Sequence, residues 1–173
     1  MKRLILLIIL ISGCTSAPSE SLASEQSTTA YSYSQDTIVY FCPQDDCKSA
    51  ILYELHAAEK SIHCALYLFT LPDAADLLAS KNSEGVDVQI LFEGQFTDSK
   101  WSQYSFLKNR GVPVREDSNP ELMHSKYCVI DGKTILTGSF NWTRTAAEKN
   151  DENLLVIHSI ELANEYESNF RTL

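Results

Sequence analysis

The segment Met123 to Thr143, MHSKYCVIDGKTILTGSFNWT, gathers one imidazole (His124), two ammonium groups (Lys126, Lys133), one carboxylate (Asp131), a hydroxyl (Ser139) and a carboxamide (Asn141). Successive side chains of an extended strand alternate between faces, so His124 and Lys126 share one face while Met123, Ser125 and Tyr127 take the other. Asp131-Gly132 is a tight-turn signal, after which Lys133 to Thr137 return antiparallel. The returning strand ends in Gly138-Ser139-Phe140-Asn141, before Trp142 to Ala147 start a helix. An imidazole, an ammonium, a hydroxyl and a carboxamide at the open end of one hairpin suit a tetrahedral phosphate, whose oxygens the donors neutralise and orient. Taken singly, each residue has a plainer role: Asp-Gly makes a turn, and a lone His or Lys on a strand packs or faces water. The convergence carries the argument.

The elements that position this hairpin alternate from Thr37 onward between short β-branched or aromatic runs and longer helical patterns, an α/β signature. Strands are expected at 38–41, 61–69, 86–92, 112–115, 124–130, 134–137 and 154–158. Helices are expected at 48–59, where Ile51, Leu52, Leu55 and Ala58 share a face, and at 73–83, 98–109 and 161–170. Gly85 and Gly111 stand where helix C-caps require glycine. There is no internal repeat.

The chain has 173 residues, 44% of them hydrophobic, enough for one core and one site. Its formal charge is -9, which disfavours long-range capture of a polyanion, so an anionic substrate must be held by a local cluster. Lys2 and Arg3 precede eight apolar residues, Leu4 to Ile11, and the run breaks at Ser12-Gly13-Cys14. That is a signal-peptide shape, well short of the roughly 18 residues of a spanning helix. Ile11-Ser12-Gly13-Cys14 resembles a prokaryotic lipoprotein signal, which implies cleavage before Cys14 and lipid on its sulfur. The alternative is an ordinary signal peptide with an incidental cysteine. Residues 15–36 hold ten Ser or Thr among 22 positions and read as a flexible tether spanning on the order of 25 Å. The organisation expected is a signal peptide at 1–13, a lipid-anchored tether at 14–36 and a catalytic domain at 37–173. Cleavage leaves 12 basic and 23 acidic side chains, or 12 - 23 = -11.

Removing a lipidated Cys14 leaves Cys42, Cys47, Cys64 and Cys128, which allow three pairings in an oxidising compartment. Cys42 and Cys47 flank a turn and suit a local disulfide, whereas Cys64 and Cys128 sit in apolar runs and read as core. The competing use of Cys42 and Cys47 is a zinc site with His56 or His63, but no second ligand pair has the right spacing.

The pattern His124-x-Lys126-x4-Asp131-x6-Gly138-Ser139-x-Asn141 resembles the HKD signature of the phospholipase D superfamily in every fixed position. The resemblance runs from about Ile38 to the C-terminus and takes in Val39 to Pro43, Ile62 to Phe69 and Asn150 to Asn153. It is strongest to the small members with one motif per chain, the bacterial endonucleases and mitochondrial cardiolipin hydrolase. It implies a mixed β-sheet flanked by helices and one HKD motif per chain. It also implies a homodimer, because the family builds each active site from two motifs.

By the same resemblance, one His124 attacks phosphorus and the protonated His124 of the other chain serves the leaving oxygen. Lys126 and Asn141 hold the phosphoryl oxygens with help from Ser139, and Glu152 hydrogen-bonds the histidine. Asp131 supports the turn, and His56, His63 and His158 are packing or surface residues. No cofactor and no metal is called for; the zinc-bearing insertion of cardiolipin hydrolase has no counterpart between Cys42 and Cys47. The expected substrate is a phospholipid head group or nucleic acid, with Lys133 or Arg144 adding positive charge near Lys126. The other functions to weigh are an exported endonuclease without lipid activity and an inactive phosphate-binding module. The N-terminal lipid would make a membrane the further partner.

Overall fold

The computed structural model describes residues 36–173. The expected signal peptide, Cys14 and all of the expected tether except Asp36 lie outside the described residues. Seven strands form one mixed sheet: β1 (Asp36–Cys42), β2 (Ser61–Leu66), β3 (Asp87–Phe92), β4 (Val114–Glu116), β5 (Lys126–Ile130), β6 (Thr134–Gly138) and β7 (Glu152–His158), in the order β1-β7-β6-β5-β2-β3-β4. The β2-β3 and β3-β4 pairs are parallel, and the remaining pairs are antiparallel. This is the α/β architecture with a mixed sheet that the sequence leads one to expect.

Alternation along the strands sends side chains to two cores. On one face Ile62, Cys64, Leu66, Ile90, Cys128 and Val156 pack under four helices, α1 (Cys47–Ala57), α2 (Pro72–Ser83), α3 (Tyr104–Asn109) and α4 (Arg144–Glu148). On the other, Ala65, Leu91, Tyr127, Val129 and Ile135 pack under the single helix α5 (Ile160–Thr172) through Ala163 and Phe170. Cys64 and Cys128 are directly opposite on β2 and β5 and are joined by a disulfide, and Cys42 is joined to Cys47. The first bond closes a sequence separation of 64 residues, worth roughly 4 kcal/mol by restriction of the unfolded chain.

Of the boundaries that differ from expectation, three bear on the site, and partners distant in the chain account for two of them. The helix expected at 98–109 begins only at Tyr104, after a 3-10 turn at Gly94–Phe96. The Ser99 and Ser102 hydroxyls accept from the backbone N–H groups of Trp101 and Tyr104, and Gln103 N donates to the Phe69 carbonyl, so the intervening backbone has partners outside a helix. Strand β2 ends at Leu66, because Leu68 to Leu71 turn to Trp142: Trp142 N donates to Leu68 O and Thr70 N to Trp142 O. Strand β5 starts at Lys126, which leaves His124 in the loop before it.

The β5-β6 turn is the tight one expected, with positive φ at both Asp131 (53°) and Gly132 (64°). The Asp131 side chain is only 3% exposed, and its carboxylate accepts from the backbone N–H groups of Lys60 (2.7 Å), Ser61 (3.0 Å) and Glu59 (3.1 Å). Burial pushes its pKa up, but the three backbone donors and Lys133 together hold it below the usual carboxylate range. On the opposite face His63 bridges α5 and β3, with Nδ1 on Glu167 at 2.9 Å, Nε2 on Asp87 at 3.3 Å, and its ring stacked on Phe170. The hydrogen bond to Glu167 raises the His63 pKa against the opposing effect of burial.

Opposite pH dependences follow. Asp131→Asn is expected to lose about 1–3 kcal/mol in urea unfolding at neutral pH, since a buried backbone donor loses its charged acceptor. Asp131 has a depressed folded-state pKa, so its stabilisation is present above the unfolded value of about 3.9 and disappears as pH falls through the folded value. The deficit should therefore shrink in acid; a deficit that stays constant would mean that the carboxylate charge plays no part. His63 has a raised folded-state pKa. Its advantage over His63→Gln should be complete below about pH 6.5 and should fade as pH rises through the folded value, as read by melting temperature across that range.

Candidate active site

The strand register brings one end of the sheet together from distant parts of the chain. Leu66 pairs with Lys126, Tyr127 with Thr137, Gly138 with Leu154, and Glu152 with Cys42. His124, Ser139 and Asn141 stand in the segments that leave this end. Asp131 and Lys133 stand at the other end, in the closed turn, where they approach each other at 3.6 Å. The expectation that Lys133 adds positive charge beside Lys126 is therefore corrected: Tyr127 to Ile130 of β5 and the Asp131-Gly132 turn lie between them.

His124 is exposed and follows a firmly held residue. The buried Glu93 carboxylate, just past β3, accepts from Met123 N at 2.6 Å and from Gln95 N at 3.1 Å, fixing the backbone immediately before the imidazole. Lys126 Nζ donates to the His124 carbonyl at 2.8 Å and lies 4.7 Å from the centre of the Tyr67 ring. The same Tyr67 ring meets the His124 imidazole edge-on at 4.2 Å and Phe96 at 5.2 Å. Burial lowers the Lys126 pKa, and the Glu152 carboxylate pulls it partly back. A cation less stabilised by water binds an incoming anion with less desolvation still to come.

Across the site, the chain after β6 is held by Asn153. Ser139 N and Phe140 N both donate to the Asn153 carbonyl, at 3.1 and 3.3 Å. That closeness explains Gly138: its φ is 149°, and a Cβ there would collide with the Asn153 carbonyl oxygen. The Ser139 hydroxyl donates to Glu152 Oε2 at 2.5 Å and accepts from Asn153 N at 3.0 Å, while Glu152 Oε1 accepts from Asn150 Nδ2 at 3.0 Å. Glu152, expected to hydrogen-bond the histidine, thus orients Ser139 and faces Lys126; among the described residues of one chain no hydrogen bond joins it to His124. Asn141 Oδ1 is buried without a hydrogen-bond partner among the described residues, an exception to the usual pairing of buried polar atoms.

The arrangement offers an accessible imidazole, a partly desolvated cation tied to its backbone, and a carboxamide and a hydroxyl at the same end of the sheet. Tyr67 and Glu93 were missed in the sequence. Tyr67 sits in an apolar run that reads as core, and the only sign of Glu93 was a lone carboxylate at the end of an apolar strand. The cysteine sulfurs that could have bound zinc are bonded to each other, and His63 is engaged by two carboxylates. Among the described residues no group of three or more His, Cys, Asp or Glu side chains could hold a metal ion.

Residues 51–173 match the family model described as cardiolipin synthase, PLD-like domain. The mitochondrial cardiolipin hydrolase of Xenopus tropicalis is 33% identical over 135 residues, 76% of this chain and 64% of that protein. A phospholipase D of Rickettsia conorii is 32% identical over 130 residues, 75% of this chain and 65% of that one. The chain therefore spans somewhat less than two thirds of the length of these relatives. Among solved structures, the phospholipase D family member Nuc from Salmonella typhimurium superposes with a TM-score of 0.75 at 31% identity, covering 80% of this chain and 93% of that one. On the family-model match and the shared fold, this chain belongs to the phospholipase D-like family.

Proposed function

We propose that this chain is a phosphodiesterase of the phospholipase D type that works through a phosphohistidine on His124, with each active site shared between two copies of the chain. The observation that carries this reading is the exposed His124 imidazole beside Lys126, at the end of the sheet from which the segments bearing Asn141 and the Ser139-Glu152 pair also emerge. A His124 nitrogen attacks phosphorus, the bond to the leaving oxygen breaks, and a second, protonated imidazole gives that oxygen its proton. Water then attacks the phosphohistidine, its proton passes to the second imidazole, and the first His124 is released. Lys126 and Asn141 orient the phosphoryl oxygens, and Glu152, which accepts the Ser139 hydroxyl proton, holds the Ser139 segment in place.

The second imidazole is the reason for a second chain. His158 lies at the far end of the sheet, bonded to Thr134; His63 is on the α5 face, bonded to Glu167 and Asp87; His56 is in the last turn of α1, away from the site. None can face His124 across a phosphorus atom. The relatives' names span cardiolipin hydrolase and phospholipase D. A net charge of -9, with Lys133 remote from the site, favours a phospholipid head group over a polynucleotide. Export is supported by the use of all four domain cysteines in disulfides, which persist in oxidising compartments. No helix among the described residues is long and apolar enough to cross a membrane, and attachment is assigned to lipid on Cys14.

Assay against phospholipid vesicles and against single- and double-stranded nucleic acid, in excess EDTA, should give hydrolysis of phospholipid that is lost in His124→Ala. Loss of wild-type activity in EDTA, restored by one divalent ion, would overturn the histidine mechanism. Cleavage of nucleic acid alone would reassign the substrate.

The shared site has its own test. Equal amounts of wild type and His124→Ala, after subunit exchange shown by the mass of mixed dimers, should contain about a quarter wild-type dimers and retain about half the activity per wild-type chain. Undiminished activity per wild-type chain after proven exchange would mean that one copy of the motif suffices.

A further inference from the structure

We infer that Tyr67 is the positioning residue of this site: its ring is the surface against which both His124 and Lys126 are held. The inference rests on the histidine reading above but names a residue outside the signature. His124 lies in a loop and is exposed, and among the described residues its ring makes no hydrogen bond. Its one described ring contact is the edge-on packing with Tyr67, centroids 4.2 Å apart and planes at 66°. Lys126 is fixed by two contacts, its bond to the His124 carbonyl and its place over the Tyr67 ring.

Tyr67 is itself well anchored. Its backbone N–H donates to Ser125 O at 2.8 Å, between the two residues it serves, and Phe96 braces its ring at 90°. Three residues earlier, the Cys64–Cys128 disulfide ties the same two strands together. The ring therefore passes the rigidity of the sheet to a nucleophile that the sheet does not contain. The electron-rich ring face also favours a charged Lys126 in a half-buried place. An in-line attack needs the imidazole nitrogen near 3–3.5 Å from phosphorus, and misplacement by 1 Å can cost about 100-fold.

Tyr67→Leu and Tyr67→Phe, made in the full chain, distinguish this role from plain packing. Expected for Tyr67→Leu is a fall in kcat of about 10- to 100-fold with KM changed less than about threefold, because the phosphate donors remain while the nucleophile loses its orientation. Tyr67→Phe, which keeps the ring, should restore most of kcat. Phe96→Ala, which removes the brace and leaves Tyr67 in place, should give a smaller fall in kcat. A kcat for Tyr67→Leu within about twofold of wild type would overturn the inference, as would a Tyr67→Phe no better than Tyr67→Leu.

The imidazole proton resonances of His124 supply a readout that needs no turnover. They should carry a ring-current shift in wild type and Tyr67→Phe that is absent in Tyr67→Leu. If Tyr67→Leu does not fold, the comparison of wild type with Phe96→Ala decides: an unchanged His124 resonance and unchanged kcat would overturn the inference. Wild-type protein with the ring-current shift but no hydrolysis of any phosphodiester would defeat the proposed function and leave the placement of His124 by Tyr67 standing.

Discussion

The buried Asp131 carboxylate sets the geometry on which the active end depends. By accepting from three consecutive backbone N–H groups at Glu59, Lys60 and Ser61, it pins the β5-β6 turn to the start of β2. That bond fixes how far β5 runs along β2, and hence that Lys126 comes level with Leu66 and Ser125 with Tyr67. A slip of one residue would turn Lys126 to the α5 face and break the Cys64–Cys128 pairing. The Asp131-Gly132 turn in turn sets β6 against β5, so that Gly138 emerges level with the start of β7. The signature's aspartate thus bears, from the opposite end of the sheet and through register, on where His124 and Lys126 emerge.

Much of this was legible because it is local. The alternation of Tyr127 to Ile130, the Asp-Gly turn and the glycine before Ser139 each imprint a backbone requirement on a few adjacent residues. What was not legible depends on partners far away in sequence. The expected helix at 98–109 has helical composition at both ends, but Gln103 answers to Phe69 and the serines to their own neighbours. Lys133 reads as close to Lys126 because they are near neighbours in sequence; a strand rising about 3.3 Å per residue carries it to the far end. The pairing of Cys64 with Cys128 follows from strand order, which no window of sequence contains. Tyr67 was hidden for another reason: in an apolar strand an aromatic ring reads as core, and only its contacts with His124 and Lys126 show which end it serves.

The charges of the site bear on why it should be shared. Within one chain the Glu152 carboxylate lies within electrostatic reach of the Lys126 ammonium, so with His124 neutral the two formal charges sum to zero. Burial weakens the ammonium's hold on its proton, while Glu152 and the Tyr67 ring favour its retention. Ser139 and Asn150 each donate to Glu152, which spreads its charge away from where a phosphoryl oxygen would sit. In the proposed two-chain arrangement the two ammonium groups and two carboxylates would still cancel. The surplus would be the proton on one imidazole, a single positive charge for the single negative charge of a phosphodiester. The same proton is the one that the proposed mechanism gives to the leaving oxygen. On that mechanism an imidazole neutral on both sides would lose the general acid and the net attraction together, so binding and bond cleavage would depend on one protonation.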